Sequence, residues 1–221
     1  MNRRAVRILA LESSLARPSA AVLEDARVLA QASGPAGSTA RLAMLARSAL
    51  EEARVRQGEL DAVAACVGPG SFTGIRIGLA LAHGIGLATG VPVVGVSVGE
   101  ALAAAITARR DRPLWVVIET RRAGTVFLER NGEAVSLAPD MIPLPAGPIV
   151  LTGDAAAKIA PRLAARGADV ELAEVAVPDA CAVGRAALAS GSDGWRARNA
   201  VPLYVDPPAA MVPAPVRPPP A

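Results

Sequence analysis

The densest run of chemistry-bearing residue types in the chain is Gly68-Pro69-Gly70-Ser71-Phe72-Thr73-Gly74-Ile75-Arg76-Ile77-Gly78. A glycine-rich turn between a strand and a helix exposes backbone N–H groups at the positive end of the helix, which suits an anion. Gly68, Gly70, Ser71 and Thr73 are therefore the candidate phosphate loop, with a tight structural turn as the competing reading. The spacing is neither that of a Walker loop, which ends in Gly-Lys-Ser/Thr, nor that of the dinucleotide fingerprint. Ser71 as a nucleophile would need a base within reach. The single histidine, His83, falls twelve residues on in a helical stretch, and the Gly-x-Ser-x-Gly elbow is absent. Glu12, Glu100, Glu119 and Asp154 lie near strand ends without paired spacing, so each reads as a solvated or capping acid. Cys66 and Cys181 show no Cys-x-x-Cys spacing and read as small buried hydrophobes in a reducing compartment. No catalytic residue and no metal ligand is assigned.

The elements that would carry these residues follow from periodicity. Arg7 to Leu11, Ser19 to Leu23 and Val28 to Ala32 are short apolar runs separated by turn-prone segments, as in an antiparallel meander. Between Ser38 and Gln57, Leu42, Leu45, Ala49, Leu50 and Ala53 recur at helical spacing. Ser38 or Thr39 is the expected cap and Gly58 the expected stop of a helix of about five turns. Asp61 to Val67 reads as a buried strand, Thr73 to Thr89 as an unusually apolar helix and Val91 to Val96 as the next strand. Ile77 to Gly99 has no charged residue and is long enough to span a bilayer, but Gly90-Val91-Pro92 breaks it into a buried helix and a buried strand. After a third helix, Val98 to Ala108, strands at Leu114 to Ile118 and Gly124 to Glu129 precede a looser stretch. Ile149 to Leu151 and helices near Ala155 to Ala165 and Ala180 to Ala189 then complete a second α/β half. Within the second helix Gly74, Gly78, Ala82 and Gly86 recur every four residues, a stripe almost without side chain that another helix could approach. Intramolecular packing would use such a stripe equally well, and a four-helix bundle between two subunits is the intermolecular alternative.

Composition narrows the function classes. The 221 residues are 52% hydrophobic and 19% charged, which excludes a disordered or fibrous chain, and only 2% aromatic, so the core must be aliphatic. The 23 basic residues include one lysine, Lys158, and give a net charge of +3 spread along the chain. A base-reading surface would need clustered arginines and stacking aromatics, which are lacking. Arg7 and Glu12 shorten the apolar N-terminal run below a secretory h-region, and the expected location is cytoplasmic. Residues 202 to 221 contain eight prolines, so this tail is read as extended at best and disordered from residue 208.

Taken with Gly90-Val91-Pro92-Val93-Val94-Gly95-Val96-Ser97, the glycine-rich run resembles the TsaB (YeaZ) family, whose hallmark is Gly-Pro-Gly-Ser-Phe-Thr-Gly-x-Arg-x-Gly before Gly-x-Pro-x-x-Gly-Val-Ser. The opening Ile8-Leu9-Ala10-Leu11-Glu12-Ser13-Ser14 and the closing Pro202-Leu203-Tyr204 resemble the family's ends, with Glu12 for its usual Asp. Glu119-Thr120-Arg121-Arg122-Ala123-Gly124 is similar to its Asp-Ala-Arg-Arg-Gly, with Glu for Asp and one extra residue. The resemblance implies an α/β, actin-like ATPase (ribonuclease H-like) fold of two related subdomains with mixed sheets, placed here at residues 1–105 and 106–207, with a tail at 208–221. It implies a non-catalytic subunit for threonylcarbamoyl transfer to N6 of the adenosine 3′ of the tRNA anticodon. Its partners would be TsaD, which carries the metal-binding histidines, and the ATPase TsaE, with a homodimer as the other assembly. The dimer helices place the partner contact at Leu42, Leu45, Ala49, Gly74, Gly78 and Ala82. No cofactor is expected in the chain itself, ATP or ADP being confined to the junction with TsaD, and tRNA is met through the complex. The alternatives are an actin-like-fold enzyme with weak ATPase, kinase or peptidase activity, and direct tRNA contact through Arg109, Arg110, Arg112, Arg121 and Arg122.

Overall fold

A computed structural model describes residues 4–15, 17–25, 27–106, 111–120 and 124–205. The proline-rich tail and Arg109, Arg110, Arg121 and Arg122 lie outside these residues. The chain opens with the meander β1 (Arg7–Glu12), β2 (Ser19–Glu24) and β3 (Arg27–Ser33), followed by α1 (Leu42–Ala53), β4 (Ala62–Gly68), α2 (Phe72–Thr89), β5 (Val93–Ser97) and α3 (Val98–Ala105). Then come β6 (Leu114–Glu119), β7 (Val126–Arg130), β8 (Glu133–Leu137), β9 (Ile149–Thr152), α4 (Ala156–Ala165), β10 (Val170–Leu172) and α5 (Ala180–Ala189).

Two five-stranded sheets result, ordered β3-β2-β1-β4-β5 and β8-β7-β6-β9-β10. In each, the first three strands pair antiparallel and the last two add in parallel beside the first. One topology has thus been used twice. Strand alternation sorts the apolar residues between layers. In β1, Ile8 and Ala10 face a core shared with α3 and α5, whereas Leu9 and Leu11 face a second core under α1 and α2. The second sheet turns Trp115, Val117, Leu128, Ile149 and Leu151 onto α4.

Several boundaries differ from the sequence reading, each for a local reason. Helix α1 ends at Ala53 because Arg54 turns left-handed (φ 56°), and a 3-10 turn at Thr39–Arg41 precedes it. Ser38 caps nothing; its hydroxyl donates to the Pro35 carbonyl at 2.6 Å. Strand β8 arises from the stretch read as loose. Its signal was Asn131-Gly132, both at positive φ (52° and 80°), a two-residue hairpin turn of the kind that matches strand twist. Strand β10 has three residues at a sheet edge, too few to leave a pattern. Helix α5 does not stay with the second half. Gly184 lets it close on β1 and β2, where a Cβ would meet Leu23 Cδ1 at 2.5 Å and Ala10 Cβ at 3.3 Å. Helix α2 is the one described helix long and apolar enough to cross a bilayer, and it is followed by β5 as the Gly90 break requires.

Candidate functional site: the glycine-rich turn and the two faces of helix α2

The turn is built where β4 ends against the chain leaving β1. Gly68 is buried at positive φ, Gly68-Pro69 is a cis peptide, and Gly70 and Ser71 are half-buried, while Thr73 is exposed. Ser13 and Ser14 press directly on the turn. A Cβ on Gly70 would lie 2.3 Å from the Ser14 carbonyl oxygen, and one on Gly74 would lie 1.9 Å from that of Ser13, so only glycine admits this approach. The Ser71 amide donates to Ser14 O at 2.6 Å, the Ser13 hydroxyl donates to Gly74 O at 2.8 Å, and Ser71 Oγ caps α2 by accepting from Gly74 N at 3.2 Å. Two of the amides that an incoming phosphate would use are thus held by the chain's own oxygens. Ser71 is the helix cap, and His83 lies exposed with Nε2 2.7 Å from the Ala200 carbonyl oxygen.

Glu12 corrects the sequence reading, which took it for a solvated or capping acid. It is wholly buried, and Oε1 accepts from the Ser14 amide (2.7 Å), the Ser14 hydroxyl (2.6 Å) and the Leu15 amide (3.2 Å), folding the carboxyl back on its own turn. Among the described residues Oε2 has no hydrogen-bond partner. Burial raises the Glu12 pKa against the opposing pull of the Ser14 hydrogen bonds, and it raises that of the nearby Cys66 thiol well above the usual thiol value. Cys181 is pushed up to about 11, chiefly by burial. Both cysteines are free and buried. Among the described residues no group of three or more His, Cys, Asp or Glu could hold a metal ion. The other acids have structural partners: Glu100 closes the capping box on Ser97, Lys158 pairs with Glu119 at 3.4 Å, and Asp154 accepts from the Glu119 amide at 2.7 Å.

The residues proposed from sequence for a partner interface face inward. Leu42, Ala49 and Ala82 are fully buried, Gly74 and Gly78 are buried, and Leu45 is half-buried against the core under α1 and α2. The small stripe exists, but it seats α2 on its own sheet. A Cβ on Gly78 would reach Ser13 Oγ at 2.6 Å, and one on Gly86 would reach Val93 Cγ2 at 2.7 Å. The opposite face of α2 carries Phe72, Ala80, Gly84, Leu87 and Ala88, all exposed, with Leu87 90% and Phe72 55% accessible. Met44 on α1 is exposed as well. Sequence reasoning missed this face. Its signal was a second small stripe, Ala80-Gly84-Ala88, with Leu87 and Phe72 at its edges. Of the arginines considered for tRNA, Arg112 is turned to Asp169 (3.4 Å) and Glu171 (3.6 Å).

Residues 37–184 match the family model described as TsaD: tRNA N6-adenosine threonylcarbamoyltransferase, and the glycine-rich run with its seat on β1 lies where the TsaB hallmark places it. The chain belongs to the TsaB (YeaZ) family. Its relatives include the tRNA threonylcarbamoyladenosine biosynthesis protein TsaB of Escherichia coli K12, 30% identical over 151 residues that cover 62% of this chain and 64% of that protein. The tRNA N6-adenosine threonylcarbamoyltransferase of Cereibacter sphaeroides is 34% identical over 98 residues, 43% of this chain and 27% of the transferase. The chain therefore matches less than two thirds of the length of either relative. YeaZ from Pseudomonas aeruginosa superposes with a TM-score of 0.75 at 25% identity, over 90% of this chain and 99% of that structure. The duplicated five-stranded sheets are the actin-like ATPase fold of this family.

Proposed function

We propose that this chain is a non-catalytic, activating subunit in the formation of tRNA N6-threonylcarbamoyladenosine, acting on the adenosine 3′ of the anticodon through assembly with TsaD and TsaE. The observation that carries the reading is the outward face of α2, where Phe72 and Leu87 stand in solvent beside Ala80, Gly84 and Ala88. Exposed apolar side chains on a well-seated helix, here interleaved with Arg76 and His83, form a binding surface, and the small residues among them admit a second helix at close range. The chemistry is left to the partner, since the sequence offers one histidine and the Ser71 hydroxyl is spent as a helix cap. The same face would serve a homodimer in the absence of TsaD. ATP or ADP, where it acts, belongs to the junction with TsaD, because the Ser71 and Gly74 amides already have partners here. tRNA is met through the complex, and the location is cytoplasmic.

The test is sedimentation velocity of the chain alone and mixed with TsaD from the same organism, followed by a threonylcarbamoylation assay on unmodified tRNA with TsaE present. The expected result is a heterodimer that stimulates modification while this chain alone is inert. A persistent monomer without effect on TsaD refutes the reading.

A further inference from the structure

The closing Pro202-Leu203-Tyr204 plays no part in the reading so far, and the structure gives it a defined seat. From Arg198 to Tyr204 the chain forms a strap. Arg198 exchanges backbone and side-chain bonds with Gly95 of β5: the Gly95 amide donates to Arg198 O at 3.5 Å, and Arg198 Nε donates to Gly95 O at 3.0 Å. Ala200 O then meets His83 Nε2, the Leu203 amide donates to Val67 O at 2.8 Å, and Arg76 Nη2 donates to the Tyr204 hydroxyl at 2.7 Å. Residue 200 lies at His83 and residue 204 at Arg76, so the strap runs antiparallel to α2.

Two residues of the hallmark runs are needed for this seat. Gly95 is where the strap crosses β5, and a Cβ there would stand 2.4 Å from the Asn199 carbonyl oxygen. Arg76 holds the far end, its guanidinium carbon 3.3 Å from the Phe72 ring centroid and 5.8 Å from that of Tyr204. Yet among the described residues the strap's larger side chains stay exposed: Val201 is 59%, Leu203 40% and Tyr204 51% accessible. Large apolar side chains fixed in solvent by a specified backbone seat mark a binding surface, and arginine and tyrosine are the types that dominate interface energies.

We propose that the strap is the second half of the partner-binding face, so that the homologous subunit packs at once against the outward side of α2 and against Val201, Leu203 and Tyr204, anchored at the Phe72-stacked Arg76. This rests on the scaffold reading above. The occupant follows from continuity and homology: the strap adjoins the α2 face at Phe72 and Arg76, and the residues of this chain that carry α1 and α2 match the family model of the transferase, so a homologous subunit is the partner the face fits. A strap already clamped to α2 is a preorganised surface, and binding to it costs little further ordering.

The test is biolayer interferometry of the full chain against TsaD from the same organism, with folding checked by circular dichroism and urea melts. The double variant Val201→Glu/Leu203→Glu alters only exposed side chains and is expected to weaken binding about tenfold or more, as loss of an interface anchor does. Tyr204→Phe, which keeps the ring and removes the hydroxyl clamp, is the milder second variant and is expected to speed dissociation. Val135→Glu, exposed on β8, is the control and should bind as wild type. If both strap variants bind TsaD like wild type while Gly84→Leu on α2 abolishes binding, the strap proposal is overturned and the scaffold reading stands. If wild type itself does not bind TsaD, both fall. Loss of self-association with TsaD affinity unchanged overturns the choice of occupant.

Discussion

Helix α2 allows one substitution to be made twice with opposite outcomes. At Gly74 a Cβ would stand 1.9 Å from Ser13 O, 3.1 Å from the carbonyl carbon and 3.3 Å from Ser71 Cβ, and the obstacle is backbone, which cannot rotate away. Reaching 3.0 Å requires α2 and the post-β1 turn to part by about 1.1 Å. Overpacking of this kind costs about 1–3 kcal/mol. The same displacement breaks the Ser71 N to Ser14 O and Ser13 Oγ to Gly74 O bonds, each worth about 0.5–1.5 kcal/mol net. Alanine's helix preference returns about 0.5–1 kcal/mol. The net expectation for Gly74→Ala is a loss of about 2–4 kcal/mol. At Gly84, ten residues along the same helix, a Cβ meets nothing within 4 Å, so only the helix preference acts. Gly84→Ala should therefore gain about 0.5–1 kcal/mol.

The assay is urea denaturation followed by circular dichroism at fixed pH, comparing midpoints at constant slope. With slopes of about 1–3 kcal/mol/M, the two variants should melt on opposite sides of wild type and differ by about 1 M or more. Gly74→Ala as stable as wild type, or Gly84→Ala clearly weaker, would refute the assignment of inward and outward faces. With it would go the inward placement of Gly74, Gly78 and Ala82 on the sheet side of α2.

Three further outcomes follow from buried carboxyls and caps. Burial raises the folded-state pKa of both Glu12 and Glu129, so the folded protein binds more protons than the unfolded chain above pH about 4.5. The contribution of these two groups to stability should accordingly be greatest below that pH and fall as pH rises through the raised values; Glu12→Gln should flatten part of this decline in melts taken across the range, and an unchanged slope would sink the argument. Glu129 reaches from β7 to the start of α3, accepting from Ser97 Oγ at 2.9 Å and Gly99 N at 3.1 Å, so Glu129→Ala strands two donors and should cost about 1–3 kcal/mol for each one left buried, read as a lower urea midpoint. Asp179 caps α5 by accepting from Ala182 N at 2.8 Å, and Asp179→Ala should lower stability by about 1 kcal/mol in the same assay, with Asp179→Asn recovering most of it.

The parts of the fold legible in the sequence are those whose signal is local and repeated. The β1–β3 meander, the α2-to-β5 succession and the aliphatic core follow from alternation, β-branching and the Gly90 break. The misreadings share a cause, contact with a distant segment. Helix α5 carries an apolar face but no mark of which sheet it covers, and the deciding feature is the absence of a side chain at Gly184 opposite Leu23 and Ala10. Glu12 sits at a strand end like many solvated acids, and its burial depends on a turn that closes over it from Ser14 and Leu15.

The same limit explains the reversed faces of α2. Its sequence carries two small stripes, Gly74-Gly78-Ala82-Gly86 and Ala80-Gly84-Ala88, and periodicity weighs them equally. What distinguishes them is Ser13, 61 residues before Gly74, whose backbone carbonyl and side-chain hydroxyl occupy the first stripe. Any residue type at position 13 would present that carbonyl, so this part of the contact is written only into the glycines that tolerate it, while the hydroxyl bond to Gly74 O depends on Ser13 itself. A glycine stripe thus records that something comes close, without recording whether the neighbour is the chain itself or another molecule. The apolar side chains flanking the stripe carry the remaining information, because Ile75 and Leu79 beside the first are buried here while Phe72 and Leu87 beside the second stand exposed.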